Sequence, residues 1–240
     1  MFETIAIAAI VVIAGFLQGL TGFGFGLIAL PLLGLFIPIK TVIPLIVMLG
    51  FCLTLTLTIQ LRRSIRFRNM IMLFIATVPG IPLGVYLLKH LSAQPLSLAL
   101  GALMISFTSY QLMVKPTPRP LGLPWTLTAG FLSGILGGSI GAGGPPVIIY
   151  STMQPWSKDE SKATLTFFFF VSTIVILANH AVSGLITGEV TTYFLTSLPA
   201  LGVGIFLGTI AYKYISDQGY RKLALVLVFL LGCMMIIKNV

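Results

Sequence analysis

Charge is what this chain has least of. Of its 240 residues only 8% are Asp, Glu, Lys or Arg, whereas 57% are hydrophobic; an ordinary water-soluble domain carries ~25% charged residues. A chain so poor in charge reads as an all-α polytopic membrane protein. Acids are the scarcest group: Glu3, Asp159, Glu160, Glu189 and Asp217 are the five, and His90 and His180 are the two histidines. General acid–base catalysis needs a pair of titratable groups, and a hard cation needs several oxygen ligands. The composition therefore argues against hydrolytic and metal-dependent chemistry, and no catalytic residue, metal ligand or cofactor is assigned. Cys52 and Cys233, the only cysteines, fall inside apolar runs and read as small packing residues, not as a disulfide framework.

The net charge of +9 would suggest nucleic acid in a soluble protein. Here the basic residues sit in short loops between apolar runs, where retention at an anionic cytoplasmic leaflet accounts for them, so a lipid bilayer is expected and no nucleic-acid partner. Ile5 to Ala14 is apolar enough to mimic a signal-peptide core. Its flank carries Glu3 and no Lys or Arg, and the apolar stretch continues past position 20, so a retained segment is expected.

Roughly 20 apolar residues span ~30 Å of hydrocarbon. Charged and proline-rich breaks divide the chain into eight apolar elements, at 4–36, 41–61, 70–89, 95–114, 124–151, 161–186, 191–212 and 220–237. The first and the fifth are long and are interrupted by glycine, which costs about 1 kcal/mol at a helix-interior position. The two interruptions match: Gly15 to Gly22 lies over Gly130 to Gly137 at an offset of 115, which also places Gly26 on Gly141 and Pro31 on Pro146. A weaker match sets Gly80-Ile81-Pro82-Leu83-Gly84 over Gly204-Ile205-Phe206-Leu207-Gly208 at an offset of 124, with Lys89 on Lys213 and Ser92 on Ser216. The reading is an N-terminal repeat over 1–115, a linker at 116–123 containing Pro116, Pro118, Arg119 and Pro120, and a C-terminal repeat over 124–240.

Basic residues then decide the topology. Eight crossings would divide the 14 Lys and Arg seven to seven, against the usual cytoplasmic excess. If the fifth element enters and leaves by one face, the division becomes eleven to three, with Lys40, Lys89 and Lys238 on the poorer side. If the first element behaves as its copy does, each four-element half makes three crossings, the two halves are inverted, and both termini face away from the cytoplasm.

Non-helical backbone at membrane depth survives only where it is buried in protein or lines a wet cavity, and inverted repeats with broken elements are a transporter pattern. Thirteen of the 25 glycines fall between Gly15 and Gly34 or between Gly130 and Gly144. Half-helices restarting near Gly26-Leu27 and between Gly143 and Val147 would turn unpaired N–H groups and two positive dipole ends toward a common point, without a buried Lys or Arg. Pro145 and Pro146 suit the first turn of such a helix. The candidate binding residues are Gln18, Thr21, Gly22, Gly24, Gly26, Ser133, Gly137, Ser139, Gly141, Gly143 and Gly144, and a small tetrahedral oxyanion is the expected guest. Gly15, Gly19, Gly130 and Gly134 also have the spacing that packs membrane helices closely, which is an alternative use for them.

The paired segments Gly15 to Pro31 and Gly130 to Pro146, in a chain with two four-element halves, resemble the TauE/SafE family of membrane transporters, the sulfite exporters, over essentially the whole chain. The resemblance implies transport of sulfite, sulfoacetate or a related organosulfonate across a bacterial inner membrane. An anion-selective channel and a membrane scaffold or assembly subunit remain the alternatives, and a homodimer is compatible with the sequence. Asn179 and His180, toward the end of a predicted span, are candidates for lining the path or for proton coupling, with a neutral, hydrogen-bonded interfacial histidine as the alternative for His180. Glu189 is expected in a solvated loop, Phe167 to Phe170 against lipid or in packing, and the Arg62 to Arg68 cluster as a cytoplasmic topology signal, with the gathering of substrate anions as a secondary use.

Overall fold

The computed structural model describes residues 2–114, 121–212, 214 and 217–239. Lys115, most of the predicted linker, Lys213 and Ser216 lie outside the described residues. Among the described residues there are ten α-helices and no strand: α1 (Phe2–Thr21), α2 (Phe25–Leu33), α3 (Ile39–Leu61), α4 (Phe67–His90), α5 (Ala93–Met113), α6 (Leu123–Ile140), α7 (Gly144–Thr152), α8 (Lys158–Val182), α9 (Gly188–Tyr212) and α10 (Asp217–Asn239). Seven of them, α1, α3, α4, α5, α6, α8 and α9, are long and apolar enough to cross a membrane. Hydrocarbon offers the backbone no hydrogen-bond partner, so helices are what such segments must form. The eight apolar elements become ten helices because the first and the fifth each split in two. Two boundaries also move: α8 begins at Lys158, where Ser157 and Glu160 form a capping box, and α9 begins at Gly188, which places Glu189 in a first helical turn, where the helix dipole favours an acid, instead of in a loop.

Glycine sets how the long helices pack. α4 and α6 run side by side in the same direction, with Gly130 against Leu73, Gly134 against Thr77 and Gly138 against Ile81. A Cβ on Gly134 would lie 2.2 Å from the Thr77 carbonyl oxygen, and one on Gly84 would lie 2.3 Å from that of Ile135, distances that real side chains do not adopt. The Thr77 hydroxyl donates across the seam to the Gly130 carbonyl at 3.0 Å. α1 and α9 repeat the arrangement: a Cβ on Gly204 would meet Val12 O at 2.6 Å, and one on Gly208 would meet Phe16 O at 2.3 Å. Gly19, Gly130 and Gly134 are therefore packing residues, each allowing two backbones to touch, whereas at Gly15 a Cβ would meet Leu201 and Gly204 only at ordinary contact distances of 3.5–3.6 Å.

The two seams also correct the register of the internal match. On α4, Gly80 meets Phe131 O and Ile135 N; on α9, Gly204 meets Val12 O and Phe16 N. The paired partners are 119 residues apart, not 115. A small-residue pattern that recurs every fourth position survives a slip of one helical turn, and a glycine match alone does not detect it.

Both broken elements are bent at left-handed glycines. Between α1 and α2, Gly22 (φ 84°) and Gly24 (φ 103°) take conformations that favour glycine. Between α6 and α7, Gly141 (φ 63°) does so. α7 then folds back along α6: the Ser133 hydroxyl donates to Gly143 O at 2.6 Å near the bend, and the Thr126 hydroxyl donates to the Tyr150 hydroxyl at 3.2 Å near the open ends. The two open ends of the element thus lie side by side. α3 and α8 cross antiparallel between the hairpins, with Phe51 stacked on Phe170.

Polar contacts gather at one end of the bundle. Arg66 Nε donates to Glu160 Oε1 at 2.9 Å, and the Arg66 N–H donates to the Thr164 hydroxyl. The Tyr212 hydroxyl donates to Asp159. Lys162, one of the eleven basic residues of the richer side, is buried: its ammonium donates to Gly19 O at 2.8 Å, at the end of α1, and lies over the Tyr212 ring. A cation at a helix C-terminus is favoured by the dipole and by unpaired carbonyls.

Candidate functional site

The two bends meet. A Cβ on Gly26, at the start of α2, would lie 2.7 Å from the carbonyl oxygen of Gly141, at the end of α6. Around this contact is a cavity of about 100 Å³. α1 contributes Gln18; the first bend and α2 contribute Phe23, Gly24, Phe25, Gly26 and Leu27; α6, the second bend and α7 contribute Ser133, Gly137, Gly141, Ala142, Gly143, Gly144 and Ile148. α3 closes the cavity with Ile46, Val47, Gly50 and Thr54, and α8 does so with Phe168, Phe169, Ser172, Thr173 and Ile176.

Eight of the eleven predicted binding residues line this space: Gln18, Gly24, Gly26, Ser133, Gly137, Gly141, Gly143 and Gly144. Three do not. The Thr21 hydroxyl turns back to the carbonyls of Leu17 and Phe23, and Thr21 lines a separate small cavity with Phe107 and Leu225. Gly22 packs on the Lys162 side chain, where a Cβ would lie 2.7 Å from Cγ. The Ser139 hydroxyl donates to Ile135 O at 2.6 Å, and its backbone lies in the α4 seam. The Asn179 amide donates to Val175 O, and His180 is wholly buried with Nε2 at 3.2 Å from Gly138 O; neither lines the cavity.

Some polar groups of the lining are already engaged. The Phe25 N–H, first of the α2 amides, donates to Gln18 Oε1 at 2.8 Å, which leaves the Gln18 amino group uncommitted. The N–H groups of Gly26 and Leu27 belong to the first helical turn and have no acceptor within the helix. The Ser133 hydroxyl is spent on Gly143 O, and the Thr54 hydroxyl on Gly50 O. The lining contains no lysine, arginine, histidine, aspartate or glutamate. What remains is a small site, with hydrogen-bond donors from backbone, amide and hydroxyl set among Phe168, Phe169, Ile46, Val47 and Ile176. Such a site offers neutral hydrogen-bond donors in a largely apolar enclosure.

Sequence reasoning missed the α3 and α8 walls. Thr54 belongs to the alternating run Leu53 to Thr58, whose three threonines point around a helix, and only Thr54 of them reaches the cavity. Phe168 and Phe169, expected against lipid or in packing, are also lining residues. Ser172 and Thr173 carry no local pattern that separates them from any other helix hydroxyl.

A family profile described as Sulfite exporter TauE/SafE matches residues 7–235. The probable sulfite/organosulfonate exporter TauE of Cupriavidus necator is 26% identical over 201 residues, covering 80% of this chain and 78% of that protein. The probable membrane transporter protein YunE of Bacillus subtilis is 24% identical over an alignment of 265 positions, covering 95% of each chain. No solved structure matches the chain. With a profile match over nearly its whole length, apolar helices of spanning length and glycine-bent hairpins at their centre, the chain belongs to the sulfite exporter TauE/SafE family of membrane transporters.

Proposed function

We propose that this transporter exports a small sulfur-containing anion, sulfite, sulfoacetate or a related organosulfonate, from a bacterial cytoplasm across the inner membrane. The observation that carries the reading is the single cavity where both glycine bends meet, lined by Gln18, Gly24, Gly26, Ser133, Gly137, Gly141, Gly143 and Gly144. The Cupriavidus necator relative, whose printed name is a probable sulfite/organosulfonate exporter, supports the sulfur anion as the cargo. Each half-helix N-terminus contributes roughly half a positive charge, so the site attracts an anion without trapping it as a buried lysine would. An interior-negative potential expels an anion at about 2.3 kcal/mol per charge per 100 mV, which drives efflux without a coupling ion.

The architecture proposed for this activity is two inverted four-element repeats, 1–115 and 124–240, with both termini outside the cytoplasm. The parallel α1/α9 and α4/α6 seams support it, since exchanging the halves maps one seam onto the other. So does the folding back of α7 on α6, which brings Lys158 to the same end as Arg66 and Tyr212. Asn179 and His180 stand apart from the path in this reading.

Reconstituted liposomes test the function. Counterflow of sulfite that saturates, and that sulfoacetate or taurine competes for while chloride, sulfate and phosphate do not, is the expected result. Flux that rises linearly with any anion makes the protein a channel, and no flux for any of them favours a scaffold or assembly subunit.

A further inference from the structure

Hydroxyls buried in these helices mostly donate to the carbonyl three or four residues back, which satisfies the O–H without a tertiary partner. Thr54, Thr77, Ser97, Thr108 and Ser139 all do so. Ser172 does not. It is 4% exposed, its Oγ is buried without a hydrogen-bond partner, and the residue is part of the α8 lining of the central cavity. Other unpartnered buried hydroxyls among the described residues, Thr58, Thr166 and Ser197, are absent from that lining. A donor held dry and unpaired is costly, and such groups occur where a ligand completes them.

We infer that the Ser172 hydroxyl is a direct substrate ligand, a side-chain donor that joins the Gln18 amino group and the α2 amides in holding the anion. Ser133, its counterpart in the sequence reading, cannot serve because its proton is already given to Gly143 O. The assignment rests on the transport reading above and sharpens it. Backbone amides accept any anion that fits, whereas a directed O–H set beside Phe168, Phe169 and Ile176 fixes where one oxygen must sit. Ser172 thus favours tetrahedral or pyramidal oxyanions over chloride, which has no separate oxygen to place there.

The test uses the full chain in liposomes and in detergent, with sulfite as the probe and with Ser172→Ala, Ser172→Cys and Ser197→Ala compared with the unaltered protein. Loss of a hydrogen bond to a charged ligand raises KM for sulfite about tenfold or more in Ser172→Ala. The thiol, a weaker donor of similar size, gives an intermediate value, and Ser197→Ala leaves KM unchanged. Because the hydroxyl is unpaired without anion, Ser172→Ala keeps or raises the anion-free Tm while losing most of the sulfite-induced rise; a structural hydroxyl would lower the anion-free Tm instead. An unchanged KM in Ser172→Ala, or a lowered anion-free Tm, overturns the assignment and leaves the transport reading intact. Failure of the unaltered protein to bind or move any sulfur anion overturns that reading, and the assignment with it.

Discussion

The two bends carry nearly the same glycine pattern and do opposite things with it. In the first, Gly22 and Gly24 are both left-handed, a side-chain acceptor (Gln18 Oε1) takes the first α2 N–H, and the next two amides belong to Gly26 and Leu27. In the second, only Gly141 is left-handed, a side-chain donor (Ser133 Oγ) takes a carbonyl, and the second and third residues of α7 are Pro145 and Pro146, which have no N–H to give. Similar breaks therefore do not present the same hydrogen-bonding groups. The first bend presents donors; the second presents a preformed, rigid helix start that closes the cavity. Proline at a helix start, read from the sequence as a mark of the binding site, fixes the helix and removes donors in the same stroke.

The sharpest way to break this comparison is to add one methyl group to each bend. At Gly143 a Cβ would lie 2.5 Å from Ser133 O and 3.1 Å from Gly137 Cα, so backbone would have to yield. Overpacking of this kind costs about 1–3 kcal/mol or more, and Gly143→Ala is expected to give the largest loss of Tm and of folded yield. At Gly24 nothing lies within 4 Å, so the cost is only that of a left-handed backbone, about 1–2 kcal/mol. Gly24→Ala should remain folded in detergent while losing transport. A greater loss of Tm in Gly24→Ala than in Gly143→Ala would mean that packing does not distinguish the two bends.

Next in size are the two side chains that brace the bends. Gln18→Leu leaves the Phe25 N–H without its acceptor, at a cost of about 1–3 kcal/mol for a buried donor, and also removes the uncommitted amide from the cavity. Lower Tm and weaker sulfite binding are both expected, measured by thermal unfolding with and without the anion. Ser133→Ala leaves a carbonyl instead, and under-satisfied carbonyls are better tolerated than orphaned N–H groups. Its effect on Tm should be smaller, near 1 kcal/mol, with sulfite affinity retained. Equal losses of affinity in the two variants would return Ser133 to the ligand set and erase the asymmetry.

These residues also measure what the sequence made legible. Glycine and proline report on backbone geometry, which is local, so the breaks at Gly22 to Gly24 and Gly141 to Gly143 and the starts of α2 and α7 could be read within a residue or two. Register between helices is not local: a four-residue slip leaves Gly15 and Gly19 matched to glycines, and only the contacts of Gly80 and Gly204 reveal the offset of 119. Side-chain hydrogen bonds are less legible still. Thr21, Ser133 and Ser139 looked like donors to a ligand until the carbonyls that consume their protons were located. Ser172 looked like nothing, because what distinguishes it is the partner it lacks. Lys162 is a related case: a basic residue at the edge of an apolar run signals topology by its position, and only the approach of Gly19 O and the Tyr212 ring shows that it is buried.

The smallest expected effect runs in the opposite direction and is the most specific to the comparison. Pro146 is the third residue of α7, where α2 has Leu27. Pro146→Ala gives the second half-helix back one N–H in a helical turn that already has the right geometry. The added donor and the exposed dipole end together are worth about 0.5–1 kcal/mol, so sulfite affinity should rise two- to fivefold. Releasing the fixed φ of proline costs about 0.4–1 kcal/mol through the unfolded chain, so Tm without anion should fall slightly. A gain in affinity with a small loss of stability is a pair of signs that neither a damaged site nor a merely loosened helix produces. If sulfite affinity falls with Tm instead, the anion does not reach the α7 turn, and the first bend alone, with Gln18 and the α2 amides, forms the binding half of the cavity.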